Sequence, residues 1–169
     1  MSGKAATKPA TADGALTIDI LVQSPLWQRE PEAEATVTRA ISAAAKRLST
    51  SGGEVAIVLT DDSAIRALNR DWRGFDKPTN VLSFPAAKAG NQAPAMLGDI
   101  VIAYETLARE CSDEGKPFSD HLAHLAVHGF LHLAGHDHEN DRDADAMERL
   151  ETEILGQLGV PDPYARDHA

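Results

Sequence analysis

The sequence predicts an α+β domain: one mixed sheet of about four strands, covered by helices, with a histidine-bearing helix packed centrally on it. Three observations carry this reading. Strand and helix patterns alternate in the first part of the chain, whereas the C-terminal third reads as helix. From Leu122 to Ala134 every side except one histidine stripe is Leu, Val, Phe, Ala or Gly, so that helix is buried nearly all round. A chain of 169 residues with 43% hydrophobic content is long enough for one core without staples, so a single domain is expected.

Leu16 to Val22 alternates apolar and polar residues, the pattern of a half-buried strand, and Ser24-Pro25 breaks it. Pro31 opens a helix near residues 32 to 49, with Val37, Ile41, Ala44 and Leu48 on one face. Glu54 to Leu59 is a second strand. Asp61 or Asp62 caps a helix to about Trp72 that buries Ala64, Ile65 and Leu68. Val81 to Phe84 reads as a short strand that Pro85 ends, and Gly98 to Ala103 as another. Residues 86 to 97 between them have the Ala, Lys, Gly, Asn and Pro composition of a mobile loop or hairpin connection. Tyr104 to Cys111 is helical, the histidine helix starts near Ser119, and Asn140 to Leu155 is a last helix with Met147, Leu150 and Ile154 inward. The domain is expected to span 15–160, between a disordered tail at 1–14 and a C-terminal tail at 161–169.

Residues 1–14 lack the apolar region of a signal peptide, and no run reaches membrane-spanning length. A single cysteine, Cys111, cannot form an internal disulfide and reads as a packing residue in a reducing compartment. A soluble, cytoplasmic protein with no membrane contact is therefore expected.

The chemistry concentrates in one place. His128, His132 and His138 follow the spacing His-x-x-x-His-x-x-Gly-x-x-His. On a helix the first two stand at i and i+4, on one face, at a separation one divalent ion bridges. Gly135 lets the helix end in a left-handed turn that returns the third ring to the same ion. Three neutral nitrogens leave a tetrahedral zinc one open position for water, the arrangement of a catalytic site. A lone histidine on an apolar helix is usually a core residue, and an i, i+4 pair alone is a weak signal. The turn glycine and third histidine at metzincin-like offsets make this a metal site. His121, His124, His128 and His132 also fall in one stripe, which has to face a cleft or a metal because unpartnered buried imidazoles are costly. In a zincin-like architecture an edge strand runs beside the metal helix, and Val81 to Phe84 is the candidate.

Zinc peptidases of the His-Glu-x-x-His kind use the glutamate after the first histidine as general base, and here that position is Gly129. The metal survives and the protease base does not. Gly129 is read as a shallow, uncrowded floor beside the metal, suited to a substrate bulkier than an extended peptide.

The segment HLAHLAVHGFLHLAGHDHEND, residues 121 to 141, closely resembles the signature of the YbeY family, bacterial endoribonucleases that act in ribosomal RNA maturation. Arg73-Gly74 followed by KPTNVLSFP (Lys77 to Pro85), and GDIVI (Gly98 to Ile102), resemble its two other hallmark segments, so the likeness covers roughly residues 55 to 155 in order. It implies one zinc per chain on His128, His132 and His138, and a role in RNA cleavage for Arg73. It further implies a single-strand-specific endoribonuclease in rRNA maturation, including 16S rRNA 3′ end processing, and in small-subunit quality control. The partners implied are rRNA, the small ribosomal subunit and its assembly factors, not DNA. One departure is His136, where many members carry tyrosine.

A net charge of −10 is the strongest objection to an RNA substrate, since phosphate binding needs a basic surface. The charge is uneven, however. Residues 136 to 169 hold ten acids and three bases, a net of −7, whereas residues 61 to 90 hold five bases and four acids, a net of +1. Arg66, Arg70, Arg73, Lys77 and Lys88 are thus candidates for an anion-binding lip; Arg66 and Arg70, at i and i+4, equally suit a solvated helix face.

His128 and Arg73 are the expected catalytic residues, with Arg73 stabilising charge on the phosphorane. For the general base the candidates are Asp137, Glu139 and His124; Asp137 and His124 are alternatively supporting residues around the ligands. His121 is expected at the cleft mouth, and His168 to have no role. Attack by water and attack by the RNA 2′-hydroxyl both fit. Two other functions stay open: a metallopeptidase with a displaced base, and a ribosome-assembly factor whose zinc is structural, closed by His136 or Asp137 as fourth ligand.

Overall fold

Alternation along the strands decides which side chains meet the core. In the computed structural model, which describes residues 16–50, 52–86, 96–137 and 139–165, four strands form one sheet: β1 (Thr17–Val22), β2 (Glu54–Thr60), β3 (Val81–Pro85) and β4 (Met96–Ala103). Their order is β1-β2-β4-β3, with β1, β2 and β4 parallel and β3 antiparallel to β4. The mixed sheet expected from the sequence is present, and β3 is one of its two edges. Ile18, Ile20, Val55, Ile57, Leu59, Ile100 and Ile102 enter the main core on one face, while Leu82, Val101 and Ala103 join Ile65 in a second cluster.

Five helices cover the sheet: α1 (Ala33–Arg47), α2 (Asp62–Arg73), α3 (Tyr104–Glu114), α4 (Phe118–Leu133) and α5 (Asp141–Gln157). Val37, Ala40, Ile41 and Ala44 of α1 are fully buried. A 3₁₀ turn, Pro25–Arg29, occupies the break after β1, and its buried Trp27 donates its indole N–H to the carbonyl of Thr60 at 2.8 Å. Asp61 caps α2 by accepting from the backbone N–H of Ala64 at 2.9 Å, and Gly74 ends it in a left-handed turn. Of the three residues expected inward on α2, Ile65 is buried, whereas Ala64 and Leu68 are half-buried, because the second cluster they face is small.

α4 lies at the centre, touching α1, α3, α5, β3 and β4. Leu122, Ala126, Val127 and Leu131 are fully buried. Among the described residues no helix is long and apolar enough to cross a membrane.

Gly98 fixes how closely β3 and β4 approach. It stands at φ +147°, and a Cβ there would lie 2.4 Å from the carbonyl oxygen of Phe84 and 2.7 Å from Cδ2 of Leu133. Gly98→Ala is therefore expected to lower stability by about 3 kcal/mol through backbone strain and overpacking, measured by urea unfolding. A midpoint equal to that of the parent would contradict the packing.

Candidate metal centre

The polar stripe of α4 runs His121, His124, His128, His132, with successive ring centroids 6.0, 6.2 and 4.6 Å apart. The helix that carries them closes as the sequence requires. Gly135 adopts φ +99°, its N–H donates to the carbonyl of His132, and the N–H of His136 donates to that of Leu131, a Schellman end that turns the chain back.

At the C-terminal end of the stripe, Nε2 of His128 and Nε2 of His132 face each other at 3.1 Å. The other nitrogen of His128, Nδ1, lies 2.6 Å from Oε2 of Glu151 on α5. A carboxylate only accepts, so Nδ1 donates to it, which leaves Nε2 as the ring nitrogen suited to ligate a metal. Two imidazole nitrogens on one tetrahedral zinc stand about 3.3 Å apart when each bond is about 2.0–2.1 Å. The observed pair fits that geometry, and carboxylate–histidine support of this kind is typical behind a metal ligand.

Glu151 is 1% exposed and has three donors around it. Oε2 also lies 3.3 Å from Nε2 of His124, and the hydroxyl of Tyr164 donates to Oε1 at 2.6 Å. Burial pushes the Glu151 carboxyl up, but hydrogen bonds from His124 and His128 outweigh it and hold the pKa at about 2. Burial and the bond to Glu151 push the Tyr164 phenol well above its usual range, so it stays a donor.

One ligand atom from each of His124, His128 and Glu151 lies within 4.8 Å of the others, close enough for that group to hold a metal as well. The two candidate points lie on opposite sides of the His128 ring. At the Glu151 side the carboxylate is already engaged by Tyr164 and both imidazoles, whereas Nε2 of His128 faces Nε2 of His132.

Of the residues picked out from the sequence, His128 and His132 are brought together, and His138 lies outside the described residues. Asp137 accepts from the backbone N–H of Glu139 at 3.3 Å, a bond within its own loop. His124 is engaged with Glu151 and Tyr164, behind His128. His121 and His124 line a cavity of about 510 Å³ together with Lys116, Asp120 and Pro161, whose lining includes neither His128 nor His132; His121 itself is buried, not at a cleft mouth. Arg73 is exposed at the end of α2. The basic lip is thinner than its five residues suggested: Arg66 pairs with Asp76 and Arg70 with Asp71, each at 2.9 Å, and Lys88 lies outside the described residues.

Gly129 requires a correction. It is buried against the sheet, where a Cβ would lie 2.8 Å from Cγ2 of Ile100 and 3.1 Å from Oγ of Ser83. Ser83 also donates to its carbonyl at 3.0 Å. So Gly129 lets α4 seat on β3 and β4 and is not an open floor beside the metal. A glutamate at that position would have to displace the sheet.

Glu151 and Tyr164 were missed by the sequence reading. Glu151→Gln keeps the shape but loses the charge that fixes the His128 tautomer, and is expected to weaken zinc affinity about 10- to 100-fold in competition with a chromophoric chelator. Unchanged affinity would remove Glu151 from the centre.

A second acid supports the stripe from α3. Oε1 of Glu110 accepts from His121 Nε2 at 2.8 Å and from Asn80 at 2.9 Å. Burial raises its pKa, but the bonds from His121 and Asn80 win and lower it below the ordinary 4.5. A carboxyl depressed in the folded state contributes its stability in full above pH 4.5 and loses it as pH falls through the lowered value. Glu110→Gln is therefore expected to flatten the acid limb of the stability–pH curve, with parallel curves the contrary result.

A family model described as Endoribonuclease YbeY matches residues 23–159. A curated endoribonuclease YbeY from Bradyrhizobium diazoefficiens is 59% identical over 154 residues, covering 87% of this chain and 84% of that one. Another, from Rhodopseudomonas palustris strain BisB18, is 61% identical over 153 residues, covering 87% and 91%. The solution structure of TM1509 from Thermotoga maritima is similar with a TM-score of 0.55 at 22% identity, covering 83% of this chain and 91% of that chain, a likeness of fold.

Proposed function

Because the chain belongs to the YbeY endoribonuclease family, we propose that it is a zinc-dependent, single-strand-specific endoribonuclease of rRNA maturation. Its proposed tasks are 16S rRNA 3′ end processing and small-subunit quality control, in the cytoplasm, with the small ribosomal subunit and its assembly factors as partners. The catalytic domain is taken as residues 15–160. The carrying observation is the convergence of His128 and His132 at 3.1 Å with the far nitrogen of His128 held by a buried carboxylate.

In this reading His128, His132 and His138 hold one zinc. Bound there, zinc would supply Lewis acidity toward a phosphoryl oxygen and toward water. The chain's own residues do the rest. Glu151 keeps Nδ1 of His128 protonated and the ring oriented, and Tyr164 keeps Glu151 in place. Arg73 stabilises charge developing on the phosphate. His124 supports Glu151 from behind the ring, which favours a positioning role over that of general base.

Gly129 argues against a peptidase, since the base of that reaction has no room where the sheet presses on α4. The test compares cleavage of single-stranded RNA and of casein by zinc-loaded, chelated and Arg73→Ala protein. RNA cleavage that needs both metal and Arg73 supports the proposal. Cleavage of casein alone, indifferent to Arg73, replaces it with the peptidase.

A further inference from the structure

The end of α2 and the loop after it present two aromatic rings to solvent. Trp72 is 72% exposed and Phe75 56%, the two most exposed large apolar side chains among the described residues. These rings are held, not loose. Gly74 N–H donates to the carbonyl of Arg70, Phe75 N–H to that of Asn69, and the buried Asn69 side chain donates to the carbonyl of Lys77 at 2.9 Å. Trp72 leans edge-on against Phe84 of the edge strand β3, with centroids 6.0 Å apart, and the Lys77 ammonium lies 5.8 Å from the centre of the Phe75 ring.

The charges beside the rings narrow the occupant. Asp76 and Asp71 are paired with Arg66 and Arg70, while Arg73 and Lys77 have no carboxylate partner among the described residues. Two cations with no partnering acid among the described residues therefore stand beside two exposed rings within six residues of an otherwise acidic chain. Aromatic faces offered alongside a backbone-binding charge are how proteins take unpaired nucleotides, because only unstacked bases present a free π-face.

We propose that Trp72 and Phe75 form a base-stacking platform for unpaired nucleotides of the RNA substrate, with Lys77 on an adjoining phosphate. The proposal rests on the ribonuclease reading above and gives single-strand preference a physical origin. Arg73, the residue assigned to cleavage, is exposed on the same turn between Trp72 and Phe75 in sequence.

The chain has two tryptophans, and the other, Trp27, is 3% exposed, so emission quenched by a ligand reports on Trp72. The probe is a short 2′-O-methyl oligoadenylate, followed by anisotropy and by tryptophan emission, beside a duplex of equal length. Trp72→Ala and Phe75→Ala are each expected to weaken single-strand binding about ten-fold. Trp72→Phe should keep binding and lose the quenching, Phe75→Tyr should keep both, and zinc content and circular dichroism should not change. Wild-type affinity in both alanine variants, or emission unmoved at saturating oligonucleotide, overturns the platform while metal-dependent cleavage leaves the ribonuclease reading standing. If the alanine variants lose self-association in sedimentation and keep RNA affinity, the patch is a protein interface and the platform is wrong. Failure of the parent protein to bind or cleave single-stranded RNA sinks both.

Discussion

Alanine at both His128 and His132 is expected to remove stoichiometric zinc from the protein while leaving the fold in place. The parent should carry about one zinc per chain through imidazole nitrogens. Both rings sit half-buried at the C-terminal end of the α4 stripe, so neither supplies the apolar packing that fixes α4 on the sheet. In the proposed three-histidine site, loss of either ring should weaken binding sharply; the same is expected of His138→Ala. His121→Ala is the control, because its ring is tied to Glu110 on α3 and not to the His128–His132 pair. Metal content after dialysis and chelator competition measure the effect. Stoichiometric zinc retained by the double variant would place the metal elsewhere, with the His124, His128 and Glu151 group the first place to look.

The second large effect is on turnover. Arg73→Ala is expected to lower RNA cleavage on the order of 10²–10³, as loss of one contact to developing charge typically does. Zinc content and unfolding midpoint should not move, since Arg73 is exposed and ends α2 without capping it. Weak salt dependence of RNA binding should accompany this, because few cations near residues 66 to 88 are free to displace counterions. Neutralising exposed acids of the C-terminal segment such as Asp141 and Asp145, but not the buried Glu151, should raise nonspecific RNA affinity and leave cleavage where it was. An Arg73→Ala protein that cleaves at the parental rate would take the residue out of the reaction.

What the sequence disclosed of the site was what lies within one helix and its turn. His128 and His132 are set by the i, i+4 period, and Gly135 by the need for a positive φ, so local geometry placed them. Val81 to Phe84 was legible as a strand that Pro85 ends, and its place at an edge was expected from the zincin-like architecture, in which such a strand runs beside the metal helix. Glu151 was not legible, because its partner is 23 residues away on another helix. A signal did exist: Glu151 follows Met147 by four residues and precedes Leu155 by four, so it falls on the apolar face of α5, where a charge is costly without a partner. Tyr164 lies in a short proline-rich segment with no period to read. Gly129 misled because a missing side chain signals space as readily as close contact, and only the position of Ile100 decides between them.

The strand order has a consequence for how the molecule assembles. β1, α1 and β2 can pair as soon as they are made, since β1 and β2 are neighbours joined by one helix. β3 has no partner among the described strands until β4 exists, and β4 then inserts between β2 and β3. Pairing Val55 with Gly98 closes a long stretch of chain before any ladder bond is gained, which makes this step slow relative to local helix formation. The surface that receives Gly129 is made of Ser83 and Ile100, one residue from each of those late-pairing strands. The histidine helix therefore has its full seat only once β3 and β4 have paired, and a nascent chain carries His128 and His132 before it has Glu151, the acid that orients His128.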